Sequence, residues 1–171
     1  MKRWQRVLAF STLALTGFLT LLAACGGDDD VAEATIEVSL EAAESTVQLG
    51  EPINLTVRLT NVGSDPVTVA RTFFSPNLVF FQVTDSEGKT LLFNGPYAKL
   101  RPFTEDDFAV LEPEDSVEQS FDLAELYEID EAGSFTVVAK YKNSDDGSHL
   151  GLSALTTDGL PSNSITIEVA Q

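Results

Sequence analysis

Residues 53–60 have the sequence Ile-Asn-Leu-Thr-Val-Arg-Leu-Thr, in which apolar and polar side chains alternate without a break. Successive side chains of a β-strand point to opposite faces, so this alternation predicts a strand with one buried and one solvated face. The same period recurs at Ile36, Val38 and Leu40, at Val117, Phe121 and Leu123, at Phe135, Val137, Ala139 and Tyr141, and at Ile165, Ile167 and Val169. Shorter runs of β-forming residues lie at 67–70, 78–84 and 90–93.

Turn-forming sequences separate these runs, at residues 49–52, 63–66, 85–88 and 131–133. We therefore predict about eight short strands, no amphipathic helix of ordinary length, and at most one helical turn, within residues 122–128. Short strands without crossover helices predict an all-β fold, an immunoglobulin-like antiparallel β-sandwich. Neighbouring Phe80 and Phe81 should point to opposite faces of their strand, so only one of the two rings should enter the core.

The N-terminal segment has the pattern of an export signal. Three basic side chains within residues 2–6 precede an uncharged run over 7–24, and Leu-Ala-Ala-Cys at 22–25 ends it. This ending resembles the lipobox of bacterial lipoprotein signal peptides. The resemblance implies cleavage before Cys25 and its acylation with diacylglyceryl and a fatty acid such as palmitate. The protein would then sit on the extracytoplasmic face of the cell membrane or the outer membrane. The alternative is an uncleaved membrane helix, which needs about 20 apolar residues.

On this interpretation the chain has three parts: a signal peptide at 1–24, the acylated Cys25 with a flexible acidic tether through residue 33, and a β-sandwich domain at 34–171. The Gly-Gly-Asp-Asp-Asp run at 26–30 combines flexible glycines with like charges that repel one another, which is typical of a flexible tether. Removing residues 1–24 would remove three of the ten basic side chains and none of the 27 acidic ones, so the net charge would become -20. A chain of this size buries about 70% of its unfolded surface, enough for one core without disulfides or metal.

The acidic charge and the residue inventory exclude several functions. Sequence-independent binding of nucleic acid requires Lys and Arg to replace the phosphate counterions, and binding to anionic lipid requires them too. The acidic charge therefore excludes both kinds of binding. Nucleophilic catalysis lacks its residues, because Cys25 is the only cysteine and His149 the only imidazole. We therefore predict no catalytic residue, no metal, no cofactor and no small-molecule substrate. The acidic stretch over residues 103–135 is interpreted as a solvated face, with one weak calcium site as the alternative.

A candidate surface for a protein partner lies within residues 94–108. Between two acidic stretches, this segment carries Tyr97, Lys99, Arg101, Phe103 and Phe108. Tyr, Phe and Arg are residue types that interfaces bury, and the two prolines of the segment lower the entropy cost of holding a loop ready. The alternative is structural: the segment covers the sheet, and its two cations pair with nearby carboxylates.

Seven motifs carry a family resemblance. They are TNVGSDPV at 60–67, FNGPYAKLRP at 93–102, TEDDF at 104–108, LEPEDS at 111–116, FDL at 121–123 with Tyr127, GSFTV at 133–137 and SNS at 162–164. With them the chain resembles the N-terminal β-sandwich domain that precedes the zinc catalytic domain in deuterolysin-type, lysine-specific metalloendopeptidases. Glu114 stands where such domains usually have Gly. Because the zinc ligands of that family belong to its second domain, the resemblance implies a stand-alone relative of an accessory domain, without activity.

A looser resemblance covers residues 51–68. Their order of Glu-Pro-Ile, strand, Thr-Asn and Pro-Val-Thr is similar to the opening of small bacterial intracellular proteinase inhibitors. Together these observations predict a lipid-anchored, non-catalytic envelope lipoprotein that binds or presents a protein partner. A proteinase inhibitor on the same fold is the alternative.

Overall fold

Strands form most of the regular structure. The computed structural model describes residues 35–71, 77–97 and 101–171. The strands in these ranges are β1 (Ile36–Ala42), β2 (Thr46–Gln48), β3 (Asn54–Asn61), β4 (Val67–Ala70), β5 (Val79–Thr84), β6 (Phe108–Leu111), β7 (Ser116–Asp122), β8 (Gly133–Asn143) and β9 (Thr157–Ala170). One α-helix, α1 (Leu123–Leu126), and two 3-10 turns at Glu105–Asp107 and Ser148–Leu150 complete the elements of these ranges.

The described residues belong to one unit, Ala32–Gln171. The predicted signal peptide, the acylation site at Cys25 and the tether lie outside the described residues. In the described ranges, the structure contains no helix long and apolar enough to cross a bilayer.

The strands form two larger sheets and one small one. The first sheet has the order β1-β3-β7, the second β2-β9-β8-β5, and the third pairs β4 with β6. Every pair is antiparallel except β2 with β9, which is parallel. The pairing of the long β8 and β9 strands shifts register twice, between Val138 and Lys140 and between Tyr141 and Asn143, as at a β-bulge.

The apolar faces of the larger sheets share one core. Leu55, Val57 and Leu59 of β3 are fully buried, and the residues between them lie on the solvated side. From the other sheet the same cluster receives Val79, Phe81, Val83, Phe135, Val137, Ala139, Tyr141, Ile167 and Val169. The alternation of apolar and polar residues in the sequence therefore matches the alternation of buried and exposed side chains in the strands. The predicted all-β sandwich is confirmed. Phe81 enters the core while Phe80 stays half-buried under the Nζ atom of Lys140, as predicted.

One predicted strand is absent from the structure, and another ends earlier than predicted. Residues 90–93 form no strand and make only two isolated bridges, Thr84 with Thr90 and Phe93 with Tyr127. The chain leaves β5 after the first bridge, which explains why a short β-rich run does not become a ladder. Leu123 begins α1 and does not continue β7, because the Asp122 side chain accepts a hydrogen bond from the Ala124 N–H and caps the helix.

Two strands were not predicted. β2 has three residues and pairs in parallel with the end of β9, so it carries too little sequence to show a period. In β6 the buried positions are Phe108 and Leu111, three residues apart, while Val110 is exposed. Neither strand alternates over the length that a prediction from period requires. β9 is also longer than the predicted 165–169 segment, beginning at Thr157.

The turn before β7 places a glutamate where backbone geometry favours glycine. The Asp115 N–H donates to the Glu112 carbonyl at 2.9 Å, with Pro113 and Glu114 between them. Glu114 has φ 71°, the only positive φ of a non-glycine residue in the described ranges. Proline followed by a residue of positive φ is the arrangement of a type II turn, whose third position prefers Gly or Asn.

Candidate functional site

The segment after β5 carries the two most exposed large apolar side chains of the described residues. Leu92 is 86% exposed and Tyr97 is 77% exposed. Together with Phe93 they form a surface that we call the aromatic ledge. Other exposed apolar residues of the described ranges, such as Val62 and Val110, belong to other strands and turns.

A stack of rings supports the ledge from the core outward. Tyr127 is buried, and its hydroxyl donates a hydrogen bond to the Phe81 carbonyl on β5. The Phe93 ring lies edge-on to Tyr127 at 5.8 Å between centroids, and the Tyr97 ring lies edge-on to Phe93 at 5.3 Å. Burial raises the pKa of Tyr127, so its hydroxyl keeps the donated proton further into the alkaline range. The exposed Tyr97 ring is therefore held by contacts that reach into the core.

Backbone contacts fix the same segment on α1. The N–H groups of Asn94 and Gly95 both donate to the Leu126 carbonyl, at 2.8 and 3.1 Å. A Cβ atom on Gly95 would lie 2.9 Å from the Phe93 ring and 2.9 Å from the Leu126 side chain. A larger residue at position 95 would therefore displace the Phe93 ring or the Leu126 side chain.

Two open grooves lie beside Lys89 and Leu91, and the first of them also borders the ledge. The first has a volume of about 480 Å³ and is lined by Lys89, Thr90, Leu91, Leu92, Phe93, Asn94, Glu128 and Asp130. The second has a volume of about 540 Å³, shares Lys89, Leu91, Glu128 and Asp130 with the first, and adds the carboxylates of Asp85, Glu87 and Glu131. Small-molecule sites are concave and mostly apolar. These two grooves are open and are lined in part by carboxylates.

Arg101 forms an ion pair with a buried carboxylate. Its guanidinium donates to both oxygens of Asp107, at 2.6 and 2.7 Å, and Asp107 is 2% exposed. The Thr104 N–H and hydroxyl donate to the same carboxylate at 2.8 and 2.9 Å. The hydrogen bond and the charge of Asp107 raise the pKa of Arg101. This pairing matches the structural alternative for Arg101, in which the cation holds the chain in place.

Phe103 and Phe108 pack into a second, smaller apolar cluster. Their rings meet edge-on at 5.5 Å, and Phe108 is 6% exposed. The buried members of this cluster are Ala70, Leu78, Phe108 and Ala154, with Phe103 among the partly buried ones.

The structure thus separates the residues predicted as one partner surface. Tyr97 belongs to the aromatic ledge, Arg101, Phe103 and Phe108 stabilise the chain before β6, and Lys99 lies outside the described residues. Leu92 is not among the site residues predicted from the sequence. The signal was available, because adjacent Leu91 and Leu92 in an extended chain point to opposite sides and only one can face the core.

The ionisable groups of the described ranges show no metal-binding arrangement. No group of three His, Cys, Asp or Glu residues there is arranged to hold a metal ion. His149 lies 3.5 Å from a carboxylate oxygen of Asp145, and its other ring nitrogen lies 3.3 Å from the Phe103 carbonyl. The neighbouring Asp146 accepts a hydrogen bond from the Ser148 N–H, which lowers its pKa. These contacts stabilise the turn around residue 147.

Comparison with known proteins yields likenesses in structure but none in sequence. No family model matches this chain, and no curated protein matches it. Among solved structures, the chain is similar to the CARDB domain of a Pyrococcus furiosus protein, determined in complex with di-metal ions. The two are 12% identical, the match covers 79% of this chain and 92% of that one, and the TM-score is 0.39. At this identity no individual residue can be carried over, and the deuterolysin-type resemblance stays a prediction.

Proposed function

We propose that this chain is a lipid-anchored, non-catalytic lipoprotein of the cell envelope whose β-sandwich binds a protein partner through the aromatic ledge. The observation that carries the proposal is that Tyr97 and Leu92 are exposed on a segment that contacts with the core hold in place. Burying one leucine side chain contributes about 1.5–3 kcal/mol, and tyrosine is among the residues that dominate interface energies. Because the ring stack holds Tyr97 before binding, little side-chain entropy remains to be lost when a partner docks.

The anchor in this proposal is the acylated Cys25. Two or three acyl chains on one residue hold a protein at a membrane durably, whereas a single chain binds marginally. The residues between Cys25 and β1 can extend to at most about 35 Å. The sandwich would therefore stay within that distance of the membrane surface, and its partner would have to lie within reach of the same surface.

A proteinase inhibitor is the second candidate, and one contact pattern favours it. Leu92 is exposed, and backbone contacts fix the residue on each side of it. The Leu91 N–H donates to the Val83 carbonyl at 2.9 Å, and Phe93 forms an isolated β-bridge with Tyr127. An exposed side chain on a fixed, extended backbone is what a protease specificity pocket accepts. Inhibition of proteases from the same envelope, abolished by Leu92→Gly, would support this candidate over a non-inhibitory interface.

The test of the proposal is crosslinking in the native membrane followed by capture of the chain. Tyr97→Ala and Leu92→Ser remove the ledge, and Val62→Ser and Val110→Ser are matched controls, since they alter residues that are 54% and 58% exposed elsewhere on the domain. We expect the wild type and both controls to capture the same partner and both ledge variants to lose it. Capture that survives in folded ledge variants would contradict the proposal.

A further inference from the structure

The outer strands of the two larger sheets are not equally protected. In β1 the Asn163 side chain bonds both backbone groups of Leu40, accepting from its N–H and donating to its carbonyl, each at 2.9 Å. In β5 the Phe81 carbonyl accepts from the Tyr127 hydroxyl and the Val83 carbonyl from the Leu91 N–H. β2 is only three residues long. Such devices prevent an outer strand from pairing with another chain.

β7 has none of these devices along its described length. It has seven residues, Ser116 to Asp122, pairs only with β3 and keeps a continuous register without a bulge. Its sequence, Ser-Val-Glu-Gln-Ser-Phe-Asp, contains neither proline nor lysine. It is therefore the longest unprotected strand edge of the two larger sheets within the described ranges.

The hydrogen bonds at the two ends of β7 show which backbone groups face outward. The Leu123 N–H donates to the Ile53 carbonyl, and the Asn61 N–H donates to the Asp115 carbonyl, each at 2.9 Å. In an antiparallel pair the bonded positions alternate, so the odd-numbered residues of β7 bond to β3. The N–H and C=O groups of Glu118 and Ser120 consequently point away from β3. No described residue forms a backbone hydrogen bond with them there.

We propose that β7 accepts an extended, lysine- or arginine-bearing segment of another protein as an added strand. Backbone hydrogen bonds to Glu118 and Ser120 would supply the pairing, as in strand addition generally. Half-buried Val117 and Phe121 on the core side would pack against the apolar side chains of that segment.

Charge selects the chemistry of the added strand. Carboxylates lie at both ends of β7, in the Glu112 to Asp115 turn and at Asp122 and Glu125, and the whole chain carries a net charge of -17. The Glu118 carboxylate is paired with Arg58 at 2.8 Å on the solvated face. A cationic segment is attracted to these ends, whereas a second copy of this acidic chain is repelled. The inference stands on a different surface from the aromatic ledge and does not depend on the proposed function.

The test uses the full-length chain in detergent micelles and measures amide hydrogen exchange. In the free protein the amides of Glu118 and Ser120 should exchange at least about tenfold faster than those of Val117, Gln119 and Phe121. The probe is a blocked seven-residue peptide of alternating lysine and valine. At saturation it should slow the Glu118 and Ser120 amides by at least about tenfold. The same peptide with methylated amide nitrogens should not, because it cannot donate to the strand edge.

Two variants separate strand addition from general attraction. Ser120→Pro removes an outward N–H without touching the β3 ladder, so the protein should fold and fail to bind the peptide. Ser120→Ala loses only the hydroxyl contact with Thr56 and should bind like the wild type. Tyr97→Ala should also bind normally, so failure of the ledge and failure of this inference are distinguishable.

Three results would overturn the inference. The first is equal protection by the methylated peptide. The second is slow exchange of the Glu118 and Ser120 amides in the free, monomeric protein. The third is protection that rises with protein concentration alone, which would assign the edge to a second copy of the chain.

Discussion

Replacing Tyr141 with Phe should flatten the loss of stability at alkaline pH. Tyr141 of β8 is fully buried, and its hydroxyl both accepts from the Ala70 N–H at 3.1 Å and donates to the Ala70 carbonyl at 3.3 Å. Burial raises the pKa of this phenol from 10.0 to about 12. The folded chain therefore holds the proton more tightly than the unfolded chain. The resulting stability is fully present below pH 10 and is lost as the pH rises towards 12.

The expected magnitude follows from the size of the pKa shift. One pKa unit corresponds to about 1.4 kcal/mol, so the wild type should lose about 2–3 kcal/mol through Tyr141 across this window. The assay is urea unfolding of a chain beginning at Val31, measured from pH 8 to 12. At pH 8 Tyr141→Phe should be less stable by about 1–3 kcal/mol, because it leaves buried backbone groups of Ala70 with fewer partners. Tyr97→Phe is the control for loss of an exposed phenol. Parallel pH curves for the wild type and Tyr141→Phe would refute the reasoning.

Glu114→Gly should raise the free energy of unfolding by about 0.5–1 kcal/mol. This is the cost of a left-handed backbone at a non-glycine residue, reduced by the conformational entropy that glycine loses on folding. Glu114→Gln removes the same charge without changing the backbone preference, so it should leave the free energy of unfolding unchanged. Equal urea midpoints for the two variants would show that charge explains the effect. Arg101→Ala should lower the melting temperature in circular dichroism more than Tyr97→Ala, since it removes two guanidinium hydrogen bonds from the buried Asp107 carboxylate. Cys25→Ser should abolish labelling with radioactive fatty acid and leave the N-terminal segment uncleaved, and label in that variant would contradict the lipobox.

Those parts of the fold that depend on local alternation could be predicted from the sequence. In residues 55–59 of β3 and 135–141 of β8 every second residue is apolar, and burial follows the same period. The single turn of α1 lies within the predicted 122–128 window. Residues 90–93 were assigned to a strand wrongly, because their composition favours a strand but they pair with other segments only at two isolated bridges.

The candidate site was predictable only in part, because its contacts join distant segments. Tyr97 was selected from its residue type, and its support depends on Tyr127, thirty residues later in the chain. Arg101 was also selected by type, but the structure pairs it with Asp107. Phe108 is buried because β6 pairs with β4, a strand that the sequence places nearly forty residues earlier. Residue type alone does not distinguish a ring that supports the core from a ring offered to a partner.

Partner binding by the aromatic ledge is tested most directly by site-specific photocrosslinking. A photoreactive amino acid placed at Leu92 samples the ledge, and the same group at Val62 samples an exposed apolar position elsewhere. In native membranes, irradiation should give one discrete crosslinked product from position 92 and none from position 62. Adding Tyr97→Ala to the position 92 protein should abolish that product. Identical crosslinks from both positions, or a product unaffected by Tyr97→Ala in a folded protein, would contradict the account.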